Sequence, residues 1–414
     1  MTILYDMEQE EEKVILVSVN VGDIHDAEES LDELEELVET AGATTVGRVI
    51  QNLEHINLAT YVGKGKLEEV RMMVDALGAT GIVCDDELSP AQIKNLEDAL
   101  DTKIMDRTLI ILDIFAKRAR TREGKIQVEL AQLKYRSSRL IGLRSSLSRL
   151  GGGIGTRGPG EKKLEIDRRL IRDRIAQLSK ELEEVKKNRD VQRQLRSKKH
   201  TPVICIAGYT NAGKSTLLNR LTKAGVLEED KLFATLDPTT RSLKLPKGQE
   251  ILLTDTVGFI RKLPHHLVDA FRSTLEEAKY SDMILHVVDC ANPQMEKHMD
   301  AVYDTFHQLK VENKTMITVF NKMDLLSHDT ILKDPKADHV IRISAKEEVG
   351  LIQLLELMEE LLTKQQVYIE KTYSYAEAGV IQLIRKYGQL LEEEYQSEGI
   401  FVRAYVPKEM EKQV

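Results

Sequence analysis

The sequence lacks tryptophan and contains few aromatic residues or cysteines. Of 414 residues, 5% are aromatic and three are cysteine. No stretch approaches the roughly 18 consecutive apolar residues of a membrane span, and the acidic start MTILYDMEQEEEK lacks the basic and apolar parts of a signal peptide. We therefore expect a protein without a membrane span that stays in the cytoplasm, with peripheral membrane association left open.

The three cysteines do not indicate a disulfide framework or a zinc site. Cys84, Cys205 and Cys290 stand in short apolar runs, and their spacing is not that of metal ligands. Buried thiols are the interpretation that this pattern favours, and a disulfide or zinc role is the alternative.

Positive charge is concentrated in one part of an otherwise acidic chain. The formal net charge is −9, yet residues 117–200 contain 25 Lys or Arg against 10 Asp or Glu. A segregated basic segment of this kind predicts a polyanionic partner. A solvated charged surface that only aids solubility is the alternative.

The pattern of apolar residues predicts four domains. Residues 1–115 alternate short apolar runs with helical patterns, which is typical of a small α/β domain. Residues 116–200 predict a basic antiparallel helical hairpin around the glycine-rich loop Gly151–Gly160. The second helix has an apolar stripe formed by Leu164, Leu170, Ile171, Ile175, Leu178, Leu182 and Val185.

The second half of the chain predicts a doubly wound α/β domain and a small C-terminal unit. Within residues 201–365 the runs VICIA, ILLTD, MILHVVD, TMITVFN and VIRIS read as buried strands between helical patterns. Residues 366–414 suggest a β-α-β unit, with one helix running through AGVIQLIRKYGQLLEEEYQ. The predicted fold class is therefore α/β, with an α+β C-terminal unit.

A phosphate-binding loop is indicated where the strand VICIA meets the helical pattern TLLNRLTKA. Between them stands a Walker A sequence, in which backbone N–H groups contact phosphate oxygens. Lys214 would reach the β and γ phosphates, and the Ser215 hydroxyl would ligate Mg²⁺. A chance glycine-rich turn is the alternative. The loop residues are Gly208, Tyr209, Thr210, Asn211, Ala212, Gly213, Lys214 and Ser215.

A second motif, NKMD, identifies the base. It follows the strand TMITVF, so its side chains should lie at the carboxyl edge of the sheet, where nucleotides bind. Asp324 can accept hydrogen bonds from guanine N1–H and the exocyclic amine, whereas adenine would leave the carboxylate unpaired. A backbone N–H in the tripeptide SAK would recognise guanine O6. The predicted base-binding residues are Asn321, Lys322, Met323, Asp324, Ser344, Ala345 and Lys346.

Two further segments predict contacts with Mg²⁺ and the γ phosphate. In DTVG, Asp255 would act on Mg²⁺ through water, and Gly258 would offer its N–H to the γ phosphate. The segment FATLDPTTR should be a mobile switch that supplies a threonine to Mg²⁺; we choose Thr235, with Thr239 and Thr240 as competitors. The residues concerned are Phe233, Ala234, Thr235, Leu236, Asp237, Asp255, Thr256, Val257 and Gly258. The predicted catalytic residues are Lys214, Thr235, Gly258 and Asn211.

The motifs together resemble the HflX family of GTPases, within the larger superfamily of TrmE, Era, EngA, septin-like and Obg proteins. The resemblance rests on GYTNAGKS, FATLDPTTR, DTVGFI, NKMD, YVGKGKLEEV and the loop GGGIGTRGPGEKKLE, and it covers nearly the whole chain. It implies a GTPase that binds the large ribosomal subunit and, in the GTP state, dissociates stalled or idle 70S ribosomes, often under stress. Ribosomal RNA would contact the basic hairpin and its Gly151–Gly160 loop. We expect a monomer.

One position suggests how hydrolysis is controlled. Phe259 follows Gly258 where a Ras-like protein has a water-orienting glutamine, so intrinsic hydrolysis should be slow. Asn211 stands where potassium-activated GTPases carry a metal-coordinating asparagine, which suggests help from K⁺. An ordinary turn residue is the alternative for Asn211.

Two other functions remain open from the sequence. One is assistance to tRNA modification, although we find no cysteine nucleophile near a folate or flavin site. The other is a second nucleotide site in the N-terminal domain, because Gly63-Lys-Gly-Lys66 mimics a phosphate loop. That stretch lacks the Walker spacing, and a basic surface turn is the favoured interpretation.

Overall fold

The computed structural model describes residues 12–22, 24–150, 159–197, 201–222, 232–233, 236–262, 277–326, 331–364, 366–407 and 410–411. The chain forms two compact units. The first comprises Met1–Glu183, Lys231–Phe233 and Lys262–Phe271, and the second comprises Glu184–Asp230, Ala234–Arg261 and Arg272–Val414.

A parallel sheet organises the first unit. Its strands are β1 (Lys13–Asn20), β2 (Thr44–Asn52), β3 (Gly81–Cys84) and β4 (Lys103–Asp106), in the order β2-β1-β3-β4. They alternate along the chain with the helices α1 (Ile24–Ala41), α2 (Lys64–Leu77), α3 (Pro90–Leu100) and α4 (Arg107–Arg118). Alternate residues of β1, among them Ile15 and Val17, pack on α2 and α3 in one apolar core. The α/β fold predicted for this region is confirmed.

Local sequence explains where these helices begin. At α3, Ser89 and Gln92 form a capping box in which each side chain bonds the backbone N–H of the other. At α4, the Asp106 side chain accepts a hydrogen bond from the N–H of Leu109 at 2.9 Å. Each capping residue satisfies a backbone donor that the helix itself leaves without a partner.

A buried ion network lies at the carboxyl end of β3. Asp85, which is fully buried, pairs with Arg107 at 2.8 Å and with Lys262, and Arg107 also pairs with Glu33. Burial alone would raise the pKa of Asp85, but the charges of Arg107 and Lys262 outweigh burial and hold that pKa below its ordinary value. Lys262 therefore helps to neutralise the buried Asp85 carboxylate of the first unit.

Two long helices, α5 (Arg122–Leu150) and α6 (Pro159–Ser197), run antiparallel as predicted. Glu129 of α5 pairs with Arg174 at 2.8 Å, and the more distal Leu140 carbonyl accepts a bond from Arg168. The predicted apolar stripe is only partly buried, because Leu178 is buried whereas Leu170 remains 58% exposed. Residues 151–158 of the glycine-rich loop lie outside the described residues.

The second unit is built on a six-stranded sheet. Its strands are β5 (Val203–Gly208), β6 (Thr239–Lys244), β7 (Glu250–Asp255), β8 (Met283–Asp289), β9 (Thr315–Asn321) and β10 (His339–Arg342), in the order β10-β9-β8-β5-β7-β6. All pairs are parallel except β6 with β7. The helices α7 (Lys214–Thr222), α8 (Met295–Gln308) and α9 (Leu351–Lys364) follow β5, β8 and β10. The five predicted strands are confirmed, and the mostly polar edge strand β6 is an addition.

The C-terminal residues form a three-stranded antiparallel sheet with one helix. The elements are β11 (Gln366–Tyr373), α10 (Ala378–Tyr387), β12 (Gln389–Gln396) and β13 (Gly399–Pro407), and the sheet order is β11-β13-β12. The prediction of one helix through Gln396 is wrong. The helix ends at Tyr387, and the Leu- and Glu-rich stretch pairs with β13, where Glu392 bonds Arg403 at 2.6 Å.

The cysteine prediction is confirmed, since Cys84, Cys205 and Cys290 are buried free thiols. Burial raises the pKa of the Cys205 thiol. Within the described ranges, no helix is both long and apolar enough to cross a membrane.

Candidate nucleotide site

The Walker A loop lies between β5 and α7, in the strand-loop-helix context that the motif requires. Asn211 adopts a left-handed backbone conformation with φ of +58°, which asparagine tolerates better than most residues. Gly213 has φ of +91°, and a Cβ there would lie 2.2 Å from Nδ2 of Asn321. The close approach of these two residues brings the loop against the NKMD motif.

Lys214 is a buried ammonium that faces the loop backbone. Its Nζ donates a hydrogen bond to the Tyr209 carbonyl at 2.6 Å. Burial lowers the pKa of Lys214 to about 8, and the nearby Asp255 carboxylate opposes that shift. A polyanion placed beside Nζ would stabilise the charged form, so this lysine is suited to contact phosphate.

Ser215, in the first turn of α7, meets Asp255, the last residue of β7. The Ser215 hydroxyl donates to Oδ2 of Asp255 at 2.8 Å, and Asp255 is fully buried. Both groups present oxygen atoms, the ligand type that Mg²⁺ prefers. Thr240, one competitor for the switch threonine, lies instead in β6, where its hydroxyl bonds that of Thr254 at 3.0 Å. Thr239 is the first residue of the same strand.

The predicted switch segment is described only in part. Ala234 and Thr235 lie outside the described residues. Phe233 is buried in the first compact unit, where its ring meets that of Phe115 edge to face at 4.7 Å. Leu236 is buried and Asp237 is half-buried.

The motifs predicted to recognise the base converge through hydrogen bonds of Asn321. Its Nδ2 donates to the Ala212 carbonyl at 2.9 Å, and its Oδ1 accepts from the Ala345 N–H at 2.9 Å. One buried amide thus joins the Walker A loop to the SAK loop. Asp324 accepts a bond from the Ser344 hydroxyl at 2.6 Å, so these two predicted residues also meet.

The other two residues of NKMD support this arrangement. Lys322 has φ of +65° and pairs with Asp289 at 2.7 Å, which fixes its stem beside the motif. The sulfur of Met323 lies 3.6 Å from the Cys290 thiol. Lys346, by contrast, is exposed.

The DTVG segment runs directly against the Walker A loop. Phe259 donates its N–H to the Gly208 carbonyl at 3.1 Å, and its carbonyl accepts from the Thr210 N–H at 2.8 Å. Thr256 donates its hydroxyl to the Ile206 carbonyl at 2.9 Å, and Val257 is buried. Gly258 is therefore held beside the loop by Phe259, while Thr256 fixes the segment to β5.

Sequence reasoning missed three contacts made by Tyr209 and Lys322. The Tyr209 hydroxyl accepts a bond from the Arg261 N–H at 2.7 Å, and the Tyr209 ring stacks on that of His298 at 3.7 Å. Asp289 is the partner of Lys322. No nucleotide-binding motif contains Arg261, His298 or Asp289. Asp289 alone had a signal in the sequence, because it ends the strand MILHVVD at the carboxyl edge of the sheet.

The N-terminal Gly63-Lys-Gly-Lys66 stretch forms the start of α2 and not a surface turn. The Gly63 N–H bonds the Gln51 side chain at 2.8 Å, and Lys66 pairs with Glu69 at 2.7 Å. The lysine is therefore engaged with its own helix.

The sheet order, the Walker A loop at its carboxyl edge and the joined NKMD and SAK loops define a P-loop G domain of the GTP-binding class. Three family models match the chain, described as "GTP-binding GTPase N-terminal" over residues 28–116, "GTP-binding GTPase Middle Region" over 118–196 and "50S ribosome-binding GTPase" over 203–322.

Curated relatives extend the match to nearly the whole chain. A protein from Lacrimispora saccharolytica named GTPase HflX is 69% identical over 410 residues, which is 99% of this chain and 97% of the relative. A GTPase HflX from Escherichia coli is 41% identical over 87% of this chain and 85% of the relative. The chain belongs to the HflX family of GTPases, and the resemblance inferred from the motifs is confirmed.

A solved structure, "crystal structure of SsGBP and GDP complex", is similar over 85% of this chain and 99% of that chain, with 26% identity and a TM-score of 0.47. A GTP-binding protein from Sulfolobus solfataricus in complex with GDP covers the same shares at 25% identity and a TM-score of 0.45.

Proposed function

We propose that this GTPase binds GTP with Mg²⁺ at the Walker A loop, hydrolyses it slowly alone, and acts as a monomer in the cytoplasm. The main support is the side-chain amide of Asn321, which forms hydrogen bonds with Ala212 of the Walker A loop and Ala345 of the SAK loop. A single side chain thus joins the loop that we propose holds the phosphates to the loop that we propose holds the base.

Guanine selectivity is assigned to Asp324. Its carboxylate would accept hydrogen bonds from guanine N1–H and the exocyclic amine, while a backbone N–H of the SAK loop meets O6. Ser344 donates to the same carboxylate, which holds it in one orientation. An adenine would leave this acceptor without donors, at a cost of about 1–3 kcal/mol.

Ser215, Asp255 and Thr235 would hold Mg²⁺, with Asp255 acting through water. The metal would draw charge from the β and γ phosphate oxygens. Lys214 would contact the same phosphates, and Gly258 would donate its N–H to the γ phosphate. K⁺ bound near Asn211 would add positive charge, which is compatible with the exposed, left-handed position of that residue.

We also propose that the large ribosomal subunit is the partner and that the GTP state dissociates 70S ribosomes, with hydrolysis allowing release. Support comes from the basic segment 117–200, which forms the antiparallel helices α5 and α6. Exposed cations such as Arg169 and Arg172 on α6 can follow an RNA backbone by phosphate contact. The Gly151–Gly160 loop would enter ribosomal RNA.

Sedimentation of 70S ribosomes tests this proposal. The full chain is added with GTP, GDP or a non-hydrolysable GTP analogue, and the fractions of 70S, 50S and 30S particles are measured. We expect free subunits to increase with GTP and with the analogue, and not with GDP. Equal profiles with all three nucleotides would contradict the splitting activity.

A pair of charge-reversal substitutions distinguishes RNA binding by the helical hairpin from an effect of the protein's net charge. Arg169→Glu combined with Arg172→Glu should weaken binding to 50S subunits at least tenfold and reduce its salt dependence. The matched control is Lys244→Glu with Lys279→Glu, two exposed lysines outside residues 117–200. Equal losses in both pairs would mean that net charge, and not the hairpin, carries the affinity.

A further inference from the structure

The side chain of Phe259 is buried against α8. It is 3% exposed, and its ring meets that of Phe306 on α8 edge to face at 5.6 Å. Its N–H and carbonyl are both bonded to the Walker A loop, at Gly208 and Thr210. The residue that follows Gly258 therefore offers no polar group to an attacking water, so another group must do so.

Thr210 lies directly against Gly258. A Cβ built on Gly258 would be 2.7 Å from Cγ2 of Thr210, 2.8 Å from Cα of Thr210 and 3.1 Å from Nζ of Lys214. The Thr210 side chain and the Lys214 ammonium thus flank the same point. In the proposed function, Lys214 and the Gly258 N–H both contact the γ phosphate. The space between Thr210 and Lys214 therefore adjoins the γ phosphate.

The Thr210 hydroxyl is buried without a partner among the described residues. Thr210 is 6% exposed, and its Oγ1 makes no hydrogen bond there. Thr256, the neighbouring buried threonine, does bond a carbonyl, that of Ile206. Burying an unpaired hydroxyl costs free energy, which a polar ligand would remove. Oγ1 and Cγ2 share one Cβ, so a staggered rotation about χ1 places the hydroxyl where the methyl contacts Gly258.

We propose that Thr210 is a catalytic residue of GTP hydrolysis that supplies the hydrogen bond Phe259 cannot. This inference rests on the proposed GTP site. Oγ1 accepts a hydrogen bond from the attacking water and donates one to a γ phosphate oxygen. The water oxygen bonds to phosphorus, the bond from phosphorus to the β-γ bridging oxygen breaks, and the water proton passes to the released phosphate. Thr210 itself undergoes no covalent change.

Single-turnover hydrolysis by full-length variants tests the role of Thr210. Thr210→Val removes the hydroxyl at constant shape, Thr210→Ser keeps the hydroxyl, and Thr210→Ala removes it with less bulk. We expect Val and Ala to slow hydrolysis at least tenfold and Ser to stay within threefold of the parent. Thr305→Val, which removes a hydroxyl bonded within α8, is the matched control.

Ligand affinities distinguish catalysis from packing. The affinity of Thr210→Val for GDP should stay within threefold of the parent value. Its affinity for GDP with aluminium fluoride, a mimic of the transferring phosphoryl group, should be at least tenfold lower than that of the parent. Hydrolysis by both Val and Ala at the parent rate would overturn the inference. So would a Ser variant as slow as Val, or a parallel loss of GDP affinity. A parent that binds GDP but never hydrolyses GTP would instead refute the proposed function on which this inference depends.

Discussion

The Asp324 carboxylate accepts a hydrogen bond from the Ser344 hydroxyl at 2.6 Å. The two residues come from separate loops, which follow the neighbouring strands β9 and β10. The bond orients one carboxylate oxygen and leaves the other oxygen as an acceptor. A base that presents two adjacent donors, as guanine does, matches such an acceptor.

Asp324→Asn should change the preferred base from guanine to xanthine. The new side-chain amide would donate to xanthine O2 and accept from xanthine N1–H. With guanine, its NH₂ group would face the exocyclic amine, and both groups are donors. We expect the affinity for GTP to fall at least tenfold. The variant should then bind xanthosine triphosphate (XTP) more tightly than GTP, as measured by titration with each nucleotide. Asn292→Ala, which removes a side-chain bond to the Gln294 N–H, is the control. A variant that still preferred GTP over XTP would remove Asp324 from base recognition.

Gly258→Ala should block hydrolysis and leave GDP binding nearly intact. The new Cβ would lie 2.8 Å from Cα of Thr210, and backbone cannot yield as a flexible side chain can. We expect a rate at least tenfold lower with GDP affinity within threefold, because the Gly258 N–H would contact only the γ phosphate, which GDP lacks. Gly379→Ala is the control, since nothing lies within 4 Å of a Cβ there. Hydrolysis at the parent rate in Gly258→Ala would contradict this expectation.

Lys214 should take up a proton when nucleotide binds at alkaline pH. The pKa of about 8 lies below the ordinary value of 10.5, so the nucleotide-free lysine loses its proton as pH rises through 8. A bound phosphate raises that pKa again, so the uptake should be larger at pH 8.5 than at pH 7. Titration calorimetry in buffers of different ionisation enthalpy measures this uptake.

The Lys214→Arg variant provides the reference for that titration. Its guanidinium remains charged throughout this pH range, so nucleotide binding should show no uptake attributable to the side chain. An equal uptake in both proteins at pH 8.5 would assign the proton to another group.

Asn211 decides whether a monovalent cation assists hydrolysis. If the side chain coordinates K⁺, the parent should hydrolyse GTP several-fold faster in KCl than in NaCl, and Asn211→Ala should lose the difference. If the residue serves only the left-handed turn, Asn211→Gly should match the parent in both salts, because glycine adopts φ of +58° without strain. Rates at equal ionic strength distinguish the two outcomes.

The fold was predictable where strands are buried on both faces. Runs such as MILHVVD are apolar almost throughout because they lie inside a parallel sheet. The polar edge strand β6 has no such pattern, and it forms through its pairing with β7. In β12, Leu and Glu favour a helix, but pairing with β13 and the bonds of Arg385 and Arg403 to Glu393 and Glu392 outweigh that preference.

The nucleotide site was predictable where backbone geometry dictates residue type. A Walker A loop needs glycine and lysine at fixed spacing, and NKMD follows a strand that ends at the same sheet edge. The stacking of Tyr209 on His298 has no such signature. It depends on where α8 packs, a tertiary outcome that local spacing does not encode.

The 2.2 Å separation between a Cβ built on Gly213 and Nδ2 of Asn321 links two properties that could otherwise vary independently. Any side chain at position 213 would displace the amide that orders the Ala345 loop. In the proposed site, a change at Gly213 that altered phosphate binding would alter base discrimination as well.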